Sequence, residues 1–275
     1  MHTPRHRLDL RIKATWAYRA AIPYLGWSIT MRRFRGAWLG WLWLPLRPSL
    51  QMLSRAFVFG GLLQVGSGNR PYLIFLLVGQ GGWDFFDKGV YWSFRPLNSH
   101  RRILEATPIP WAAAVVSALI PAAMDAAQYA LLLAVVSLYY RLTRGSFYVE
   151  IALGSPWRFA AGLALLALWA IAVGLIIGPL VVKARDVRFT VRYLISFWYF
   201  LTPVLYATSS LPHAYRGVAN YNPISAPIEL IKDSVLQTGG PGRTSVLVSL
   251  IGLAVLLPVG LGVAAFFERQ AHARL

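Results

Sequence analysis

The sequence predicts an all-α polytopic membrane protein with six transmembrane helices, an amphipathic interfacial helix before the first of them, and short re-entrant helices on the outer face. Three observations lead there. Hydrophobic residues make up 57% of the 275 positions and charged residues only 13%, with a mean hydropathy of +0.52, a balance that a soluble globule of this size rarely shows. The apolar residues are gathered into runs near the length, roughly 20 residues, that a helix needs to cross a bilayer core about 30 Å thick. The net charge is +17, yet the cations sit at the edges of those runs rather than along one solvated face, which fits membrane topology and argues against nucleic acid.

The basic N-terminus MHTPRHRLDLRIKATWAYRA has no apolar core and no small-residue cleavage site, so it does not read as a cleaved signal peptide and is expected to stay cytoplasmic. Trp27, Met31, Phe34, Trp38 and Trp41 then recur at helical spacing while Arg32, Arg33 and Arg35 fall off that stripe, the pattern of a helix lying in the interface. Such a helix is either a plain juxtamembrane anchor or a surface that meets lipid headgroups or the phosphate of a lipid-linked molecule. Six apolar stretches follow, near Pro48 to Val65, Tyr72 to Tyr91, Pro110 to Tyr140, Phe159 to Val182, Val191 to Tyr206 and Val246 to Phe267. Pro121 should kink the third, because proline lacks an N–H and its ring crowds the carbonyl four residues back. Between the fifth and sixth, Asn222-Pro223 makes a helix start and Ile228, Ile231 and Val235 an apolar stripe, so one or two re-entrant or interfacial helices are expected on the outer face. With no internal repeat, low-complexity tract or linker, residues 1–275 read as a single transmembrane domain: 1–47 cytoplasmic and interfacial, 48–267 the six-span core, 268–275 a cytoplasmic tail.

Six spans and a cytoplasmic N-terminus leave only Arg70, Arg141, Arg144, Arg158, Arg216, Lys232 and Arg243 outside the cell, and put most of the 27 cations inside. The positive-inside rule therefore favours this orientation, with the patch from Lys183 to Arg192 as a cytoplasmic loop against anionic headgroups.

Little in the chain suggests catalysis. None of the four lysines follows a glycine, so there is no GxxxxGK[ST] phosphate loop and any nucleotide hydrolysis lies on another chain. The five histidines are scattered, with no HExxH and no spacing that suggests a metal. The absence of cysteine excludes disulfides, thiolate metal sites and thiol catalysis. Ionisable residues inside spans carry more weight, since a charge at the bilayer centre costs at least about 2.5–3.5 kcal/mol and must face protein or water. These are Arg55, Asp84, Asp87, Lys88 and Asp125. Asp84 and Lys88, four apart, are placed to pair along one helix face, and Arg55 is expected to find Asp84, Asp87 or Asp125 across helices; the group either fixes packing or lines a polar pathway. In the fifth span Phe189, Tyr193, Phe197 and Phe200 share a helical face, with Trp198, Tyr199 and Tyr206 around them. The stripe is open to two readings: interfacial belt or core packing, or a surface on which the C–H faces of sugars stack.

Four stretches together resemble a known family. MRRFRGAWLGWLWLPLRP, PYLIFLLVGQGGWDFF, KARDVRFTVRYLISFWYFLTPVLY and YNPISAPIELIKD are similar, in that order, to segments of the membrane subunit of type-2 ABC exporters, above all the branch that exports lipid-linked polysaccharides such as O-antigen, teichoic acid, capsule or galactan. The matching positions include Arg33, Phe34, Leu39, Gly40, Trp43 and Pro48 in the first stretch, Gly79, Trp83, Phe85 and Phe86 in the second, and the Arg-Asp-Val-Arg run in the third. The resemblance implies a homodimer of six-helix subunits in the cytoplasmic membrane, both termini cytoplasmic. Two copies of a separate ATPase would bind the ATP and magnesium, and this chain would hold no cofactor. It further implies that the loop NSHRRILEATPIP forms a short coupling helix, Asn98 to Thr107, meeting the ATPase through Asn98, Arg101, Arg102 and Glu105. Phe189, Tyr193, Phe197, Trp198, Tyr199, Phe200 and Tyr206 would line the conduit, and Asn222 to Leu236 would form an outer gate. Arg32, Arg33, Arg35 and Arg47 would attract the diphosphate end of a lipid-linked glycan. Two departures stand out: Trp27, Ser28 and Ile29 occupy the place where the family usually has an acidic residue, and Arg47 replaces a frequent glutamine. The rivals are a drug or lipid exporter of the same superfamily and a membrane-embedded glycosyltransferase, for which Asp84 and Asp87 are the only obvious carboxylate pair.

Overall fold

The computed structural model describes residues 16–34, 42–66, 70–99, 109–149, 156–184 and 186–272. The described residues form helices joined by turns and short loops, with no strand among them, as expected for a chain that must satisfy its backbone internally in lipid. The helices are α1 (Ala21–Phe34), α2 (Trp43–Arg55), α3 (Tyr72–Ser99), α4 (Trp111–Val116), α5 (Leu119–Arg144), α6 (Pro156–Lys183), α7 (Asp186–Leu201), α8 (His213–Asn220), α9 (Ser225–Leu236) and α10 (Arg243–His272). Helix α2 runs directly into a π-helical segment, Ala56–Leu62.

By length and composition three helical stretches are able to cross a membrane, Trp111–Arg144, Pro156–Lys183 and Arg243–Gln270. Helix α3 is long but carries Gln80, Asp84, Asp87 and Lys88, and much of it is enclosed: Ile74, Phe75, Leu76, Leu77 and Phe86 are all buried. It packs mainly against α5 and α6, and α6 in turn supports α10 and α9.

The third predicted stretch does break near Pro121, but at Ser117 and Ala118, between α4 and α5. Ser117 is four residues before the proline, so the break falls where the pyrrolidine ring crowds the preceding turn. The hydroxyl of Ser117 donates to the carbonyl of Ala114 at 2.6 Å. At the other end α5 stops at Gly145, whose φ of +76° and N–H to Arg141 O at 3.1 Å form a left-handed cap. The patch expected as a loop from Lys183 to Arg192 is instead mostly helix, because Asp186 opens α7 and an acidic residue at the first turn favours a helix start. The same helix ends at Leu201, short of the expected Tyr206, just before Pro203.

Close approach at glycines lets the long helices touch backbone to backbone, as membrane helices do. A Cβ on Gly174 in α6 would fall 2.7 Å from the Cβ of Ser93 in α3, and one on Gly260 in α10 would fall 2.8 Å from the carbonyl oxygen of Ala172 in α6. Backbone gives way less readily than a side-chain tip. Gly260→Val is therefore expected to destabilise the protein by about 2 kcal/mol, seen as a lower melting temperature in detergent; an unchanged temperature would mean α10 and α6 do not pack this closely.

Helix α1 corrects one detail of the expected stripe. Its protein-facing residues are Leu25, Gly26, Ile29 and Thr30, while Trp27 is exposed and Met31 half-buried. The Trp27 side of the helix thus faces away from the core, towards whatever surrounds the protein. Trp38, Trp41 and Arg35 lie outside the described residues.

Candidate functional site

A cavity of about 550 Å3 opens between α1, α2, α3, α5 and α7. All five ionisable residues singled out inside spans, Arg55, Asp84, Asp87, Lys88 and Asp125, line it. So do Arg33, Arg47 and Arg192, making five cations against three carboxylates in one hollow.

Asp125 is 2% exposed and is the most heavily used carboxylate. It forms an ion pair with Arg33, accepts from Trp92 Nε1 at 3.2 Å and from Gln128 Nε2 at 3.2 Å. The Arg33 guanidinium also sits over the Trp92 ring, 5.6 Å from its centroid. One carboxylate thereby ties the interfacial helix α1 to α3 and α5. Lys88 lies 3.3 Å from Asp84, the predicted pair four residues apart, and 2.9 Å from its neighbour Asp87.

Arg55 does not find a carboxylate. Its Nη1 donates to Gln80 Oε1 at 2.7 Å, and Tyr199 Oη donates to the same oxygen at 2.8 Å. The guanidinium lies over the Tyr199 ring at 5.0 Å, so a neutral amide and an aromatic face orient it. The expected partners Asp84, Asp87 and Asp125 are taken by Lys88 and Arg33. Gln80 was not anticipated, although an amide in an otherwise apolar run is a visible signal.

The seven aromatic residues of the predicted conduit divide by helical phase. Phe189, Tyr193, Phe197 and Phe200 are all exposed on α7, Phe197 by 66%. Tyr199, by contrast, is 7% exposed and packs edge-on against Trp83 at 5.5 Å. Trp198 meets Phe86 at 5.7 Å and donates from Nε1 to Asn222 Oδ1 at 3.0 Å. Tyr206 lies past the end of α7 and donates to Phe200 O at 3.3 Å. Only the first four present their rings outward. Among the lead-in arginines Arg32 and Arg47 are exposed, Arg33 is ion-paired, and Arg35 lies outside the described residues. Asn98 falls in the last turn of α3, and Arg101, Arg102 and Glu105 are outside the described residues.

At the opposite end of α7 the Asn222 segment is fastened to it. Asn222 Oδ1 accepts from the Ile224 N–H at 3.0 Å, an Asx turn that starts α9, and its Nδ2 donates to Leu201 O at 3.2 Å and Thr202 Oγ1 at 2.9 Å. Lys232 in α9, only 3% exposed, donates to the carbonyls of Pro203 and Val204, the latter at 3.1 Å, and to Tyr206 O at 3.5 Å. Its Nζ stands 3.8 Å from the centroid of Phe75. These carbonyls belong to the turn just past the C-terminus of α7, where a cation is favoured by the helix dipole. Glu229, one turn earlier, accepts a hydrogen bond from Thr208. Burial raises the Glu229 carboxyl above its usual range, against the Thr208 hydrogen bond and the Lys232 charge. Burial likewise lowers the Lys232 ammonium, against the charge of Glu229. A smaller cavity of about 230 Å3 lies beside them. Lys232 was counted in the sequence only as an outer-side cation, and its role here depends on a fold-specific contact.

No group of three or more metal-ligating side chains occurs among the described residues. What the arrangement offers is charge and aromatic surface around an open hollow.

Comparison with known proteins gives a consistent result. The profile of the ABC-2 type transporter family matches residues 21–236. The chain is 26% identical over 200 residues to an O-antigen export system permease protein, RfbA, of Myxococcus xanthus, covering 73% of each chain. It is 24% identical over 200 residues to an RfbA of Klebsiella pneumoniae, covering 71% of this chain and 72% of that one. It is 24% identical over 244 residues to the polysialic acid transport protein KpsM of Escherichia coli, covering 86% and 89% respectively.

Proposed function

The chain belongs to the ABC-2 type transporter family, as a membrane component, and we propose that it is the permease of an exporter that moves a lipid-linked polysaccharide out across the cytoplasmic membrane, driven by a separate ATPase. The observation that carries this reading is the similarity over most of the chain to permeases for O-antigen and polysialic acid, joined to a site built of charge and aromatic rings. The six-span topology with both termini cytoplasmic, the homodimer and the pair of ATPase subunits belong to the same proposal. So does docking of the ATPase on the segment from Asn98 through Arg101, Arg102 and Glu105.

Two faces support a dimer with a central path. Phe189, Tyr193, Phe197 and Phe200 on α7, and Leu46, Leu50, Leu53 and Phe57 on α2 and its π-helical continuation, leave large apolar side chains uncovered in the single chain. Between two copies, the α7 rings would form weak, repeated stacking contacts for passing sugars, as conduction demands sites that bind and release easily. Trp198 and Tyr199 serve this surface from behind, by holding α7 in phase. The basic residues Arg32, Arg35 and Arg47 would draw the phosphate end of the carrier to the cytoplasmic side, while Arg33 is committed to Asp125.

Replacing Phe189, Tyr193 and Phe197 together by alanine is expected to reduce glycan at the cell surface about tenfold while the protein still inserts and assembles, since these rings support little of the single-chain core. Surface glycan is read by immunoblot of intact cells against a membrane-fraction control. Export at the original level would remove the aromatic path. Loss of drug resistance with unchanged glycan on deletion of the whole chain would favour a drug exporter.

A further inference from the structure

We infer that Arg47, Arg55 and Arg192 form a binding site for an oxyanion, a phosphate or a carboxylate, carried by the transported molecule; this rests on the export reading and assigns the charged end of that substrate to a defined part of the cavity. The argument is one of charge. The three carboxylates of the cavity are engaged by two cations, Asp125 by Arg33 and the Asp84–Asp87 pair by Lys88. That leaves three arginines lining the same hollow, and among the described residues no carboxylate forms an ion pair with any of them. Arg55 is held only by a neutral amide and an aromatic ring.

A cation at membrane depth is costly and is retained where something pairs with it. Arg55 lies in such an apolar stretch, and among the described residues no carboxylate pairs with it. The cavity's formal excess of five positive over three negative groups matches an anion of about two charges, such as a diphosphate. Guanidinium groups suit the task, because each offers a planar fork of donors matched to phosphate or carboxylate oxygens. The Gln80 and Tyr199 contacts leave Arg55 with further N–H donors and fix the plane in which they lie. Gln51 and Ser196 add polar atoms to the wall. Arg33, expected from the sequence to share in this attraction, is instead bound into the structural tie through Asp125.

The two sources of an oxyanion, the diphosphate of a carrier lipid and the carboxylates of an acidic glycan, are separable with probes. The full-length protein in nanodiscs of uncharged lipid is titrated calorimetrically with farnesyl diphosphate, farnesol, inorganic pyrophosphate and a sialic acid tetramer. Saturable binding of farnesyl diphosphate and pyrophosphate but not farnesol supports the site with phosphate as its ligand; binding of the sialic acid tetramer alone supports it with glycan carboxylate as its ligand. In either case Arg47→Gln, Arg55→Gln and Arg192→Gln should each weaken binding at least about fivefold and flatten its salt dependence. Arg243→Gln, exposed at the start of α10 and outside the cavity, should change it less than about twofold. Arg47 and Arg192 are exposed, so their variants should fold normally, which a melting curve checks. Absence of saturable binding by any of the anions overturns the inference, as does an Arg243→Gln effect equal to that of Arg192→Gln. Surface glycan in cells keeps the two readings apart. If deleting the chain abolishes export while Arg47→Gln/Arg192→Gln exports normally, only the anion site fails; if deletion leaves surface glycan intact, the export reading fails whatever the titration gives.

Discussion

Asp125→Ala is expected to destabilise the purified protein by about 3–5 kcal/mol, the usual cost of removing one partner of a buried ion pair, and to lower its melting temperature in detergent by on the order of 10 °C. The reason is the number of groups that converge there. Arg33 would lose its counter-ion, and the indole N–H of Trp92, buried in α3, would lose its acceptor in a place water does not easily reach. Asp125→Asn should lie between, because the amide oxygen still accepts one hydrogen bond while the charge is gone. If Arg33 is replaced by Met in the same chain, the penalty of Asp125→Ala should shrink, since the two residues act as one unit. A melting temperature unchanged in Asp125→Ala would show that α1 is not tied to the core through this carboxylate.

The contrast between Asp125 and Arg55 shows what the sequence made legible and what it did not. That each is an ionisable residue in an apolar run is plain from the order of residues, and so is the expectation that they face a shared interior rather than lipid. Which partner each takes is not, because that depends on the rotation of α2 against α3 and on Lys88 and Arg33 having claimed the carboxylates first. Pro121 announced a break in the third stretch, and the break sits one turn earlier at Ser117 because the proline's ring acts on the preceding turn. In α7 the helical period correctly grouped Phe189, Tyr193, Phe197 and Phe200. Aromatic residues fill the opposite face as well, so hydrophobicity alone did not tell that Tyr199 and Trp198 turn inward while Phe197 turns out. The deciding contacts are polar, to Gln80 and Asn222, and they come from distant segments.

Lys232→Met should abolish most export, reducing surface glycan at least about tenfold, with the protein still inserted in the membrane. Methionine keeps the length and much of the volume of the stem, so the change isolates the ammonium group. That group satisfies carbonyls of Pro203, Val204 and Tyr206, which lie in the turn after α7, and charged hydrogen bonds of this kind contribute about 1.5–3 kcal/mol each at most. Because Lys232 belongs to α9 and the carbonyls to the turn that follows α7, losing it loosens the aromatic helix from the outer segment, which stays tied through Asn222 and the Thr208–Glu229 bond. The lysine stem also needs Gly79 beneath it: a Cβ there would lie 2.6 Å from Lys232 Cε and 3.0 Å from Val204 O. Gly79→Ala should therefore reproduce the Lys232→Met phenotype, and the two together should be no worse than either, since both break the same contact. Lys232→Arg should not rescue, because the bulkier planar guanidinium does not fit the space occupied by a single Nζ between the carbonyls and the Phe75 ring. Wild-type export by Lys232→Met, with normal protein level, would show that α7 and α9 move independently of this lysine.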